Sequence, residues 1–375
     1  MKKSILILGG YGNAGFLISK YLLQETHDVA IIIAGRHFEK AQKAADELNQ
    51  LFPGQRTSPV QVDVADRQIF RDALSKASLV VMASGTMKHT KLVVEEVLNA
   101  GIDYFDLQLS SPVKLDVLFS LKDKIEASGH CFITDGGFHP GVPAALLRYA
   151  AGMFDSLEKA NVYGGLKVDW AAIDASEGTL DELVDEFKYY QMLFLKNGRW
   201  KKMSYFAMPP GFDFGPPLGK LYCAPMFLEE LRSLPEEIPE LKETGFYVSG
   251  FNPILDYLLL PVIMFGIKIF PERFADPFIK LFQFGLKFGK PPYGVKLVAD
   301  CSGLKEGKPK HIQLSLTHED EYVLTAVPVV ACLLQYLDGA IRKPGLWFQS
   351  NVVEPERFFN DMGRMGLPLV VQDVS

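Results

Sequence analysis

Cysteine is scarce in this 375-residue chain: Cys131, Cys223, Cys301 and Cys332 stand far apart, with no CxxC pair among them. That excludes a disulfide framework, argues against a structural zinc, and fits reduced thiols in a cytoplasmic setting. An excess of one charge is missing too. The 39 basic and 45 acidic residues leave a net charge of −6, which gives no electrostatic reason to expect nucleic acid. Nor does any clean apolar run reach bilayer length, because the stretch Ile254 to Phe270 is broken by Asp256, Pro261 and Lys268. No repeat or low-complexity segment interrupts the chain. The apolar residues after Met1-Lys2-Lys3 enter a glycine cluster too soon for a secretion signal, and they read as a strand.

That strand, Ile5 to Leu8, runs into Gly9-Gly10-Tyr11-Gly12-Asn13-Ala14-Gly15 and then the helical stretch Phe16 to Leu23. A buried strand turning through glycines into a helix is a dinucleotide cradle. Gly10 permits the tight turn, Gly12 admits the pyrophosphate and Gly15 lets helix and strand pack closely. A second apolar run, Val29 to Ile33, ends in Ala34-Gly35-Arg36-His37, where a site preferring NAD would place an acid. Arg36 instead offers a guanidinium to a 2′-phosphate, so NADP(H) is preferred over NAD(H), the plainer reading being an arginine that points to solvent. Val60 to Val64 reads as a third strand with Asp63 and Val64 near the adenine. Leu79 to Gly85 reads as a fourth, with Ala83, Ser84 and Gly85 lining the path of the cofactor.

Helices around Lys91 to Ala100 and Val113 to Ser128 alternate with strands Tyr104 to Leu107 and His130 to Thr134. Six strands alternating with helices predict an α/β, doubly wound parallel sheet at residues 1–138. The remainder changes character and predicts a second, α+β domain over 139–345, with 346–375 as a C-terminal segment that packs back on the first domain. Within it Thr179 to Glu182 reads as a capping box for a helix towards Phe194. Pro209-Pro210-Gly211 and Gly215-Pro216-Pro217 read as loops. Gly294 to Ser302 and His311 to Thr317 predict an antiparallel pair. Leu324 to Ala340 predicts a helix interrupted by Pro328, and Pro355 to Met365 a final helix.

The glycine loop, the segment Val93 to Asp106, the turn Asp135 to Pro143, and the close from Lys343-Pro344-Gly345-Leu346-Trp347 to Phe359 together resemble the saccharopine dehydrogenase/reductase-like family. The resemblance spans both domains. It implies a Rossmann domain followed by a substrate and dimerisation domain, a nicotinamide cofactor, and oxidation or reduction of a carbon–nitrogen bond in a small amino-acid-like adduct. Where saccharopine reductases resemble Gly-Leu-Asp-Pro-Gly, this chain has Gly137-Phe138-His139-Pro140-Gly141. An imidazole replaces an acid, which puts saccharopine itself in doubt as substrate. His139 is a candidate general acid/base, the alternative being a loop histidine that bonds backbone carbonyls. Asp106 and Asp135 are further proton-transfer candidates at the strand ends, with Gln108, Gly137 and Phe138 placed to meet substrate.

Two apparent motifs are set aside. Tyr163-Gly164-Gly165-Leu166-Lys167 has the Tyr-x-x-x-Lys spelling, but adjacent glycines argue against the helix that chemistry needs. His311, His318 and the acids Glu319 to Glu321 read as a solvated turn, and no metal site is expected. The aromatic stretch 253–290, with Phe274, Phe278, Phe282, Phe284 and Phe288 among Lys280, Lys287 and Lys290, exceeds what a small polar substrate requires. A homodimer interface, a peripheral membrane or lipid contact and an apolar substrate tunnel all remain open for it. Two other functions stay open as well: a lipid or acyl reductase, and a non-catalytic NADP(H) sensor.

Overall fold

The computed structural model describes residues 3–168, 189–204, 207, 210–269 and 275–374. Its first six strands are β1 (Lys3–Leu8), β2 (Val29–Gly35), β3 (Thr57–Gln61), β4 (Leu79–Met82), β5 (Asp103–Asp106) and β6 (Cys131–Thr134). Helices α1 (Asn13–Glu25), α2 (Phe38–Leu51), α3 (Arg67–Leu74), α4 (Thr90–Ala100), α5 (Pro112–Ser120) and α6 (Lys122–Ser128) fill the crossovers, and α7 (Pro143–Ala151) follows. Next come β7 (Ser156–Lys167), β8 (Leu193–Lys196), β9 (Arg199–Lys202), β10 (Gly211–Asp213), β11 (Lys220–Pro225) and β12 (Glu243–Ser249). The hairpin β13 (Gly294–Lys305) and β14 (Lys308–His318), then β15 (Gly345–Phe348) and β16 (Val370–Asp373), complete the set.

Contacts divide the chain into two compact units, Met1–Val142 with Tyr322–Gly366, and Pro143–Glu321 with Leu367–Ser375. The first holds a parallel sheet of order β15-β6-β5-β4-β1-β2-β3. Both of its faces are covered, so its strands read as unbroken apolar runs: Ile5, Leu6 and Ile7 are fully buried. Strand order reverses between β1 and β4, which opens the crevice at their carboxyl ends where open α/β sheets bind ligands. The expected third strand is displaced. β3 ends at Gln61, and its Pro59 is tolerated because β3 is the edge of the sheet, so Asp63 and Val64 lie in the connection to α3. The expected helix 113–128 is two helices meeting at Leu121.

The seventh strand, β15, had no counterpart in the pattern reading. Its four residues Gly345–Phe348 pair in parallel with Cys131–Thr134. The helix Glu321–Leu337 runs through Pro328 without interruption, a correction to the expected break. Nearly all of its residues from Val323 to Leu333 are buried, and that packing outweighs one missing N–H.

The second unit is a mixed sheet, β10-β11-β12-β7-β13-β14-β16, with β8 and β9 appended, and α7 packs against β7 and β13. The expected antiparallel pair is β13 and β14, in register from Val295↔His318 to Lys305↔Lys308. Glu306 and Gly307 close it at φ of 53° and 72°, the positive angles a tight hairpin turn requires. Tyr163 to Lys167 lies on β7, so the Tyr-x-x-x-Lys spelling is on a strand. Phe194 lies on β8 and not on a helix, while Thr179 to Glu182 falls outside the described residues.

Within this unit helices Leu255–Leu259 and Leu260–Ile269 pack against Ala275–Leu286 as the two arms of a hairpin. It has a core of its own. Leu255, Ile263 and Phe282 are buried there, with Phe251, Leu259, Leu260, Phe278, Leu281 and Leu286 packed around them. Among the described residues no helix is long and apolar enough to cross a membrane.

Candidate active site

The glycine loop leaves β1 at the point of strand reversal. Gly9 adopts φ +83°, and a Cβ there would lie 2.4 Å from the Ala83 carbonyl oxygen. A Cβ on Gly15 would lie 2.3 Å from the Gly9 carbonyl oxygen, so helix and loop touch backbone to backbone. Ala83 is held by its N–H to the Leu8 carbonyl at 2.8 Å, which brings the end of β4 against the loop. Gly12 is the N-cap of α1 and supplies no side chain to its first N–H groups, and no acid stands in the first turn. Those donors face outward with Asn13 exposed, an arrangement that fits a pyrophosphate. The buried Ser84 hydroxyl beside the loop has no hydrogen-bond partner among the described residues.

At the end of β2, Tyr11 lies across the glycine of Ala34-Gly35: a Cβ on Gly35 would sit 2.4 Å from the ring. The Tyr11 hydroxyl accepts the His37 N–H at 3.3 Å. Arg36 is exposed, its backbone carbonyl held by Gln61 Nε2 at 3.0 Å. Asp63 is exposed beyond β3, accepting the Ala65 N–H at 3.0 Å, and the side chain of Val64 is buried. Gly85 is exposed after β4.

Beside this cradle, β5 and β6 end in carboxylates that meet one lysine. Pro112 opens α5 and Ser111 caps it, accepting the Lys114 N–H at 3.4 Å, which aims the Lys114 side chain back under the strand ends. Lys114 Nζ donates to Asp106 Oδ1 at 2.8 Å, Asp135 Oδ1 at 2.6 Å and the Gln108 carbonyl at 2.8 Å, using all three of its protons. All three ionisable side chains have 0% exposure. Asp106 Oδ2 accepts from Thr134 Oγ1 at 2.7 Å. Asp135 sits at φ +54°, and its Oδ2 is buried without a partner among the described residues.

One cation faces two carboxylates in a dry site. Burial raises the Asp135 carboxyl above its ordinary range. Burial alone would lower the Lys114 ammonium, but the two carboxylates outweigh it and hold the lysine charged. Gln108 is equally occupied: its Nε2 donates to the Ser84 carbonyl at 2.9 Å and to Thr86 Oγ1 at 2.8 Å, tying the end of β4 to that of β5. So Asp106 and Asp135, expected as proton-transfer candidates, and Gln108, expected to meet substrate, take part in an internal network that ties three strand ends. Lys114 was missed, although it occupies the apolar stripe Lys114, Leu118, Leu121, Ile125, where a lysine implies a buried anionic partner.

The turn after β6 is clamped from behind. Gln349 Nε2 donates to the carbonyls of Gly137 and Gly141, both at 3.1 Å, and its Oε1 accepts the Gly137 N–H at 3.3 Å. Gly137 and Gly141 have φ near +117° and +119°, and a Cβ on Gly141 would lie 2.6 Å from the Gly137 carbonyl oxygen. Phe138 is buried, edge-on to the His139 ring at 5.5 Å between centroids. His139 is half-buried, and desolvation pulls its imidazole down to about 4, so it is neutral at physiological pH. Sequence reasoning also missed Gln349, which lies 212 residues from Gly137.

Residues 5–133 match the family described as the saccharopine dehydrogenase NADP binding domain. The carboxyaminopropylagmatine dehydrogenase of Synechocystis sp. (strain ATCC 27184 / PCC 6803 / Kazusa) is 22% identical over 306 residues, covering 74% of this chain and 75% of that protein. The apo histidine-tagged saccharopine dehydrogenase (L-Glu forming) from Saccharomyces cerevisiae covers 100% of both chains with a TM-score of 0.68 at 16% identity, which shows a shared fold.

Proposed function

We propose that this NADP-binding, saccharopine dehydrogenase-like oxidoreductase moves a hydride to or from the carbon of a C=N or C–N bond in a small amino-acid-like substrate. The observation that carries the proposal is the glycine cradle at the strand reversal, with side-chain-free N–H groups on α1 and an exposed Arg36 one strand away. Bound there, the cofactor supplies or accepts the hydride. Arg36 would take the 2′-phosphate through its guanidinium, and Tyr11 would wall the adenosine.

In the reducing direction the imine carbon gains the hydride and its nitrogen gains a proton. His139 is proposed to move that proton. A neutral imidazole suits the oxidising direction as it stands, by accepting the proton of the amine. A substrate carboxylate beside it would favour the imidazolium and serve the reducing direction. Asp106, Lys114 and Asp135 are proposed to hold the strand ends rigid beneath the reacting atoms. The relative named carboxyaminopropylagmatine dehydrogenase supports carbon–nitrogen chemistry. An acyl or lipid substrate is the second reading, favoured by the exposed apolar side chains of the 255–269 helices.

The four free cysteines are buried, and cytoplasmic action as a homodimer remains part of the proposal. Phe278 and Phe282, in the stretch left open between dimer contact, lipid contact and substrate tunnel, pack inside the hairpin, so any partner meets other residues. The function is tested by incubating the protein with NADPH and pairs of 2-oxo acids and primary amines, following NADPH absorbance and identifying the adduct by mass spectrometry. Turnover with an oxo acid and amine supports the reading. Turnover with acyl substrates alone transfers it to the second reading, and cofactor binding with no turnover on either panel points to a sensor.

A further inference from the structure

The hairpin at 255–286 buries one set of apolar side chains and leaves another set uncovered. Phe278 lies so close to the first helix that a Cβ on Gly266 would sit 1.8 Å from its ring, and Leu255 fills the equivalent space at Gly285. Those contacts account for the inner face. They leave Ile254, Leu258, Val262, Phe265 and Ile269, spaced four, four, three and four residues apart, along one side of the first helix. Leu258 is 64% exposed, Val262 55% and Phe265 67%. Tyr257, Phe284, Phe288 and Tyr293 are exposed as well. An uncovered apolar row of this kind marks an interaction site.

Charge identifies the occupant. Lys280 falls four residues before Phe284 and Lys287 three after it, and Lys290 follows, all three exposed and none meeting a carboxylate among the described residues. Asp256, the one carboxylate among the described side chains of the hairpin, turns back on the chain to accept the Phe251 N–H at 2.9 Å. A two-fold interface would set this cationic surface against its own copy. A lipid surface offers anions instead. We propose that the hairpin lies in the plane of an anionic membrane surface, its 254–269 stripe among the acyl chains and Lys280, Lys287 and Lys290 at the headgroup phosphates. The first helix is too short to span, and aromatic and lysine side chains are the residues an in-plane helix uses at that depth.

The test is co-sedimentation of the full chain with vesicles of phosphatidylcholine alone and of phosphatidylcholine with phosphatidylglycerol, independent of any turnover. The wild type should pellet with the anionic vesicles only and be released by high salt. Phe265→Asp should bring pelleting to the vesicle-free background, and each of Lys280→Gln, Lys287→Gln and Lys290→Gln should weaken it by about fivefold. Phe265 is exposed, so its variant should fold, which unchanged NADPH binding would verify. Absence of pelleting, equal pelleting with phosphatidylcholine alone, or pelleting that Phe265→Asp leaves intact each overturns the proposal. If the wild type ignores vesicles and light scattering shows Phe265→Asp converting a dimer to monomers, a second copy covers the stripe instead.

Discussion

Lys114 Nζ lies 2.6 Å from Asp135 Oδ1, and neither side chain reaches solvent. With Asp106 on its other side at 2.8 Å, the lysine joins the ends of two neighbouring parallel strands by charge-assisted hydrogen bonds. Such a group is costly to desolvate and costlier to break, because removing one member leaves the others buried without compensation. The excess carboxylate is the weak point of the cluster. Asp135, a surplus carboxylate raised by burial, is where a proton would settle first.

Lys114→Met should therefore destabilise the first unit by about 3–5 kcal/mol, the range for a broken buried ion pair. Asp135→Asn should cost far less, since an amide keeps an acceptor for Lys114 and removes the surplus charge. Urea unfolding followed by tryptophan fluorescence measures both. Equal losses in the two variants would show that the network is held by packing and not by its charges.

The parallel sheet was legible because its strands are buried on both faces and write themselves as apolar runs, Ile5 to Leu8 and Val29 to Ile33 among them. β15 was not, since four residues between loops carry no periodicity and pair with a strand more than 200 positions away. The glycine cradle was legible because backbone geometry there admits only glycine at Gly9 and Gly15. The roles of Asp106 and Gln108 were not. A strand-end carboxylate looks the same in sequence whether it faces a ligand or a lysine from the next helix, and only the placement of Lys114 separates the two. The burial of Phe278 and Phe282 was not legible for a similar reason: a helix apolar on several sides does not reveal which side its neighbour covers.

Arg36→Ala should weaken NADPH binding by about 1.5–3 kcal/mol, the value of a hydrogen bond to a charged group, and leave NADH binding nearly unchanged. Calorimetric titration with both cofactors separates the effects. An equal loss for both would mean that Arg36 does not read the 2′-phosphate.

Asp256 carries a pH effect of definite sign. Burial raises its carboxyl to about 6 against the hydrogen bonds from the backbone of Phe251 and Asn252, which work the other way. The folded state thus holds a proton that the unfolded chain has released between the ordinary carboxyl value near 4 and about 6, so stability declines as pH rises through that window. Asp256→Asn keeps an acceptor for Phe251 and removes the titration. Its thermal midpoint should exceed that of the wild type at pH 8 and match it near pH 4, and a constant difference at both would discard the account.

His139 offers the sharpest division between chemistry and structure. Its imidazole, lowered to about 4 by desolvation, is neutral in the folded protein over a range in which the unfolded chain takes up a proton, from about 6.5 down to 4. Stability from this residue is complete above that range and is lost as pH falls through it. His139→Asn should flatten that part of the stability profile whatever the catalytic role. If His139 also moves the proton, the variant should bind NADPH with unchanged affinity and turn over about a hundredfold more slowly or worse, with the pH dependence of kcat removed. A variant that loses the stability slope but keeps wild-type turnover would leave His139 as a half-buried loop histidine. Proton transfer would then pass to a bound water or to the substrate's own amine, because Asp106 and Asp135 are closed off against Lys114.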